Sequence, residues 1–393
     1  VRIERLEIWD VLIPFRFSFG HALASRASSR NVIVAVRLED GSVGYGEGVP
    51  REYVTGETIQ TAFAKVRDEY APALVGRTLG MTDVLGTLTA LRGDLHGARP
   101  APAAAWCAVE MALLDALGKA RGAAATAFMG GVGRPRVRYG AVAPFGGRGA
   151  LAAMLAFFRA YGFSEVKIKV GRHREADVAA VRLARRIMGR NCDLRVDANG
   201  AWDADETLRM ADRLRAFAVT SYEQPVPARD YAALRRLSRE LPEPVIADES
   251  LCSLDDARLL VSERACSRFN IRVSKCGGPI GALEIVKVAR AAGLACHLGA
   301  QVGESGVLTA AGRLVATAAL FPAFEHLEGS DNSFLLKRDV TRENLTVRWG
   351  GIAPALTGAG IGVHVHHDRL EKMAWHKATV AAHASRDHID RSA

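Results

Sequence analysis

Five apolar runs along the chain close on polar residues able to do acid–base or metal chemistry. Lys167 and Lys169 close EVKIKVG, Asp197 and Asn199 close DLRVDANG, Glu223 sits in SYEQPV, Asp248 in PVIADES and Lys275 in FNIRVSKCGG. From Lys169 the steps are 28, 26, 25 and 27 residues. That interval fits one strand, one helix and two loops, so successive parallel strands deliver these groups to one end of a barrel. Asp197, Glu223 and Asp248 at one mouth repel unless a cation neutralises them. Hard oxygen ligands with room for water favour Mg²⁺, with Mn²⁺ also suitable. Each carboxylate also lies near a strand–helix junction, where it could cap a helix. Three in a row beside inward lysines make the metal the stronger reading.

Residues two apart on a strand face the same way, so Lys167 and Lys169 point together with Glu165. Lysines can guard an exposed sheet edge, but this short apolar strand is expected beneath helices. Two ammonium groups on one face lower each other's pKa, from ~10.4 toward the range a base needs. Lys275 ends the sixth strand, opposite the second, so one lysine can take a proton from one face of a substrate and the other return it. Alternatively one lysine does the proton work and the other stabilises charge. Strict alternation that points Lys275 inward sends Asn270 and Arg272 toward the helices, an odd place for them unless a bulge intervenes.

The elements needed to position these groups can be read from the pattern. Residues 1–48 read as strands, RIERLEIWDVLI and NVIVAVRLEDGSVGYGEG, the second with a Gly-rich turn. Between them PFRFSFGHALASRASSR reads as a flexible loop carrying His21. Residues 55–122 read as helices, giving a small α+β domain. After MGGVGRP, strand and helix candidates alternate about eight times, matching a (β/α)8 barrel. The expected division is an α+β capping domain over 1–125, the barrel over 126–360, and a segment 361–393 that returns to the cap. Its last stretch, KATVAAHASRDHIDRSA, lacks a pattern and is expected to be mobile.

Bulk properties exclude several classes. With 393 residues the chain is long enough for a barrel plus a second domain. No apolar run approaches the ~20 residues of a membrane span, and the N-terminus lacks a signal-peptide core; a cytoplasmic location is expected. The net charge of +9 comes from scattered Lys and Arg at helical spacing, which argues against nucleic acid but favours anionic substrates. Cys107, Cys192, Cys252, Cys266, Cys276 and Cys296 show no metal or disulfide spacing and read as reduced, packed thiols.

Taken together, KIK, DANGAW, YEQPV, IADES and VSKCGG resemble the enolase superfamily, specifically its muconate lactonizing enzyme subgroup. The resemblance extends over the AVEMALLDALGKARG helix, the MGG junction and the late GAGIGVHV segment. It implies that Asp197, Glu223 and Asp248 bind Mg²⁺, that Lys169 is the acid/base lysine with Lys167 as electrostatic partner, and that Lys275 stands opposite. It implies removal or delivery of a proton α to a carboxylate through an enolate. A small carboxylate substrate and a homo-oligomer are the expected partners.

Specificity in such proteins lies in cap loops and late strands, here RFSFGHALASR, VPREYVTGE, HLGAQVGES and FEHLEGSDN. Asn199, Gln301, Glu304, Glu328, His21 and Tyr53 are therefore the candidate substrate contacts. EHLEGSD lacks the Asp-x-Asp of dipeptide epimerases, which counts against a dipeptide. His297 reads as packed behind the site, and HVHHD as a surface strand rather than a metal cluster. The expected reactions are, in order, cycloisomerisation of a muconate-like diacid, racemisation or epimerisation of an amino-acid derivative, and dehydration of a hydroxy acid. A Schiff-base barrel using Lys167 or Lys169 as nucleophile is the competing enzyme class, and a non-catalytic descendant is disfavoured by the complete polar row.

Overall fold

The computed structural model describes residues 1–96 and 103–382. Strands β1 (Ile3–His21), β2 (Ala24–Leu38) and β3 (Val43–Gly48) pair antiparallel in chain order. Alternation in β3 places Gly44, Gly46 and Gly48 on one face. A Cβ on any of them would collide with the backbone of Ala104, Ala108, Ala112 or Ala116. The glycines that read as a turn therefore let the Ala-rich helix Ala103–Ala120 lie directly on the sheet.

The stretch expected as a flexible loop forms the distal half of the β1–β2 hairpin. Pairing is continuous from Val11↔Asn31 to Pro14↔Ser28 and resumes at Phe19↔Arg26, ending at His21↔Ala24. Backbone pairing, not an apolar stripe, defines this arm, so its polar side chains hid it. The register shifts between Pro14 and Phe19. Phe15 and Phe19 turn inward there, while Arg16, Phe17 and Ser18 face outward.

The barrel follows. A short β4 (Arg136–Arg138) precedes seven parallel strands: β5 (Ala141–Ala143), β6 (Glu165–Lys169), β7 (Asp193–Asp197), β8 (Tyr222–Glu223), β9 (Val245–Ala247), β10 (Arg268–Ile271) and β11 (Ala295–Leu298). They are hydrogen-bonded in chain order, and each leads into a helix, as right-handed β–α–β units require. The helices are amphipathic: Arg174–Met188 buries Val178, Val181, Ala184 and Met188 on one side. The eighth strand is reduced to an extended segment that closes the ring. The Glu328 amide donates to the Leu298 carbonyl at 2.8 Å, and the Gly140 amide donates to the Leu327 carbonyl at 2.8 Å.

β12 (Ile352–Pro354) pairs with β4, and β13 (Ala374–Ala381) pairs antiparallel with β1. Residues 377–381, expected to be mobile, therefore belong to a strand; residues 383–393 lie outside the described residues. Between these strands the Gly360 carbonyl accepts from the Ala125 amide at 2.6 Å, and the Ile361 amide donates to Asp115 Oδ1 at 2.9 Å. No helix among the described residues is long and apolar enough to cross a membrane.

Candidate active site

Strand alternation and strand ends bring the polar row together. Asp197, Glu223 and Asp248 are buried, and one carboxylate oxygen from each lies within 4.8 Å of the others. Among the described residues this is the one group of His, Cys, Asp or Glu side chains arranged to hold a metal. Each carboxylate has its own lysine. Lys169 Nζ donates to Asp197 Oδ2 at 2.6 Å, Lys167 Nζ to Glu223 Oε1 at 2.8 Å, and Lys275 Nζ to Asp248 Oδ1 at 2.8 Å. Glu223 Oε2 is buried without a hydrogen-bond donor. An unpartnered carboxylate oxygen within an all-oxygen triad fits a hard divalent cation.

Around the triad the charges close into one ion-paired network. Five cationic side chains (Lys167, Lys169, Arg195, Arg272 and Lys275) face five carboxylates, the triad plus Glu249 and Glu328. Arg272 contacts Asp248 Oδ2, and its Nη1 donates to Gln301 Oε1 at 3.2 Å. Arg195 reaches Glu328 at 3.0 Å. Burial acts against every charge here. At Glu223 and Glu328 it is overcome chiefly by Lys167, which holds both down at about 2. Burial likewise works to lower Lys167, but Glu223, Glu328 and Asp197 outweigh it and raise its pKa. The expected mutual lowering by Lys169 is thus overridden at Lys167. Lys275, enclosed by protein, has its pKa lowered by burial.

The parity difficulty at Lys275 has a simple origin. β10 ends at Ile271, and the chain turns before Lys275. Asn270 points into the barrel, its Nδ2 donating to Glu223 Oε1 at 2.8 Å. Arg272 follows on the same side, and Lys275 enters from the turn, donating also to the Asp248 and Asn270 carbonyls at 2.5 and 3.0 Å. No bulge is needed.

Other predicted residues divide. Asn199 takes a left-handed backbone with φ 46° and bridges the site, its Oδ1 accepting from Lys169 at 2.9 Å and its Nδ2 donating to Glu249 at 3.0 Å. His21 and Tyr53 meet at 3.1 Å and, with Lys167, Lys169, Asn199, Gln301 and Glu328, line a cavity of about 60 Å³. Burial first, then Lys169, pushes the His21 imidazole down to about 3. Glu304 does not line this cavity. It sits behind Gln301, accepting from its amide at 2.5 Å, and burial raises it to about 8. His297 is packed between Arg195 and Glu325 at 3.4 and 3.3 Å. His364 pairs with Glu343 at the surface, and a helix begins at His367, so HVHHD is not a strand. All six cysteines are free thiols, and none lines the cavity.

Arg195, Glu249 and Arg272 escaped the sequence reading as site residues. Arg195 was findable, because it precedes Asp197 by two on the same strand. Glu249 and Arg272 lie where strands give way to loops and alternation no longer predicts direction.

Comparison with known proteins places this geometry. Residues 4–130 match the family model for the mandelate racemase/muconate lactonizing enzyme N-terminal domain, and residues 150–369 match the enolase C-terminal domain-like model. The L-Lys-D/L-Arg epimerase of Methylococcus capsulatus is 32% identical over 86% of this chain and 90% of its own. Muconate cycloisomerase 1 of Rhodococcus opacus is 30% identical over 91% and 95%. The structure of the dipeptide epimerase from Cytophaga hutchinsonii, complexed with Mg and the dipeptide D-Ala-L-Val, superposes with a TM-score of 0.85 at 26% identity, covering 97% of this chain and all of that one. The chain belongs to the enolase superfamily, in its mandelate racemase/muconate lactonizing enzyme family.

Proposed function

We propose that this protein is a Mg²⁺-dependent enzyme that removes the proton α to a substrate carboxylate and returns it to the opposite face, racemising or epimerising an amino-acid derivative. The observation that carries the reading is the placement of Lys169 and Lys275. They leave strands four apart in a ring of eight, with Asp197, Glu223 and Asp248 on the strands between. Asp197, Glu223 and Asp248 would hold the ion, whose contribution is to stabilise enediolate charge. Lys169 would act on one face of the α-carbon, Lys275 on the other, and Lys167 would stabilise developing charge.

The balanced network supports a lysine base. With five cations against five carboxylates it is neutral before any ligand enters. A divalent ion plus one substrate carboxylate adds a net positive charge, and release of one lysine proton restores neutrality. Lys167 and Lys169 both line the cavity, whereas Lys275 does not. Burial lowers Lys167, but Glu223, Glu328 and Asp197 outweigh it and hold it charged, so Lys169 is the group placed to lose the proton.

The second reading, cycloisomerisation of a muconate-like diacid, draws on the Rhodococcus opacus relative. Relatives of both kinds lie at similar identity, so likeness alone does not rank them. Two lysines across the triad favour transfer between faces.

The test is α-proton exchange in D₂O with Mg²⁺ over N-acyl amino acids, dipeptides and muconates. Deuterium should enter the α-carbon of an amino-acid derivative with inversion. Lys169→Ala and Lys275→Ala should each lose exchange from one enantiomer by ~10²–10⁴-fold. Lactone formation from a diacid without α-exchange of any amino-acid derivative would replace this reading by the second. Turnover that persists in strong chelator, with borohydride trapping, would point to a Schiff base instead.

A further inference from the structure

The 60 Å³ cavity above Lys169 has room for little more than a reacting carboxylate and its α-carbon. Beside it lies a second cavity of about 560 Å³, within the range of small-molecule pockets. The two share Phe19, Val142, Gly329, Asp331 and Leu335 as walls. The larger one lies between the β1–β2 hairpin, the first barrel helix (Arg148–Ala160) and the segment after the eighth strand. Its lining is predominantly apolar, from Phe17, Met154, Phe157, Phe158, Phe163 and Phe334. Phe157 stands edge-on to Phe334 with ring centroids 5.4 Å apart. Phe17 and Phe157 are 41% and 42% exposed, although each is large and apolar. Exposed apolar side chains converging on a hollow mark a surface that gains from being covered.

We propose that this hollow is a subsite for a bulky apolar substituent, aryl or branched alkyl, on the substrate whose α-carbon is deprotonated at the lysines. The occupant is part of the substrate because the hollow borders the reaction cavity along five shared wall residues, and the smaller cavity holds little beyond the carboxylate and α-carbon. The aromatic wall disfavours a second charged group in the depth of the hollow, where it would lose its hydration; the charged wall residues, Arg16 and Asp331, are both exposed. Arg16 stands at the rim, its Nε donating to the Ser333 carbonyl at 3.0 Å. This inference rests on the carboxylate-proton reading and specifies its substrate class.

Two measurements keep the subsite and the reaction separable. The first compares α-exchange of N-acetylalanine with that of N-phenylacetylalanine and N-acetylphenylalanine. The second is calorimetry of 3-phenylpropionate and propionate binding to the Mg²⁺-loaded protein, which needs no turnover. The subsite predicts that at least one aryl compound exchanges with kcat/KM at least tenfold above N-acetylalanine. It also predicts that 3-phenylpropionate binds more tightly than propionate with a negative heat-capacity change. Ala150→Trp, which fills the hollow from the exposed start of its helix wall, and Phe157→Asp should each erase the aryl advantage. Exchange of N-acetylalanine should fall far less than that of the aryl compounds in both. Absence of exchange from every compound, with tight 3-phenylpropionate binding that Ala150→Trp abolishes, would overturn the reaction and keep the subsite. Equal rates and equal binding for aryl and methyl compounds would overturn the subsite.

Discussion

Asp197, Glu223 and Asp248 each accept from a lysine, so any cation enters in competition with ammonium groups already in place. Asp248 is paired with both Lys275 and Arg272. Asp248→Asn should weaken Mg²⁺ binding by ~100-fold or more, since loss even of an outer-shell partner costs 10–100-fold. Titration calorimetry reads this directly, and unchanged affinity would remove Asp248 from the ligand set. His21 gives a second expectation. Its imidazole is held near 3 by burial and then by Lys169, so it is neutral throughout pH 5–8. Folding leaves it with fewer protons than the unfolded chain, so its contribution to stability falls as pH drops from 6.5 toward 3. An NMR titration of His21 with a midpoint near 6.5 would contradict the enclosed site. The triad and Lys167–Lys169 were legible because all end strands, where a period of two fixes direction. Glu249, Arg272 and the entry of Lys275 were not, because β10 stops at Ile271 and loop geometry has no such period.

The elements of the two halves are joined by buried carboxylates that the sequence reading did not single out. Glu47 on β3 accepts from the Ser305 and Leu308 amides at 2.9 Å each, capping the helix Gly306–Thr317. Glu110, in the helix Ala103–Ala120, accepts from the Ile280 amide at 2.7 Å and from Trp106 Nε1 at 3.0 Å. It thereby caps the helix Pro279–Ala291, whose N-cap Gly278 has no side chain to do so. The AVEMALLD run reads as an apolar helix, and nothing local reveals that its one glutamate serves a distant amide. Glu110→Ala strands two buried donors and should cost about 2–4 kcal/mol in urea unfolding. Burial raises Glu110 from 4.5 to about 7. The folded protein therefore binds the extra proton between those values, and this part of its stability declines as pH rises from 4.5 to 7, then levels. Glu110→Gln keeps an acceptor without the charge, so its melting temperature relative to the parent should climb across that window. A difference that is flat with pH would show that Glu110 is ionised in the fold throughout.

At the scale of the molecule, the sequence conveyed the barrel far better than the edges of the cap. Each βα unit repeats an apolar strand and an amphipathic helix, a strong signal multiplied by repetition. β13 offers no such signal. Most of its residues are exposed, and its role is to present backbone to β1. The pairing spans Arg5↔Ala381 through Asp10↔His376 and shifts at Val11. Beneath it lie Leu6 and Ile8, both fully buried. A chain ending at Met373 would leave β1 as a long open edge beside an apolar face, which invites pairing between molecules. That truncation should lower the melting temperature by several degrees and raise light scattering on heating. A chain ending at Ala382 keeps all of β13 and should melt above the chain ending at Met373, with less scattering. The polar row proposed to carry α-exchange lies on the barrel, so exchange by the shorter chain should persist below its melting point. Loss of exchange at a temperature where far-UV circular dichroism remains native would instead mean that the cap sheet sets the hairpin arm bearing Phe19 and His21 over the lysines.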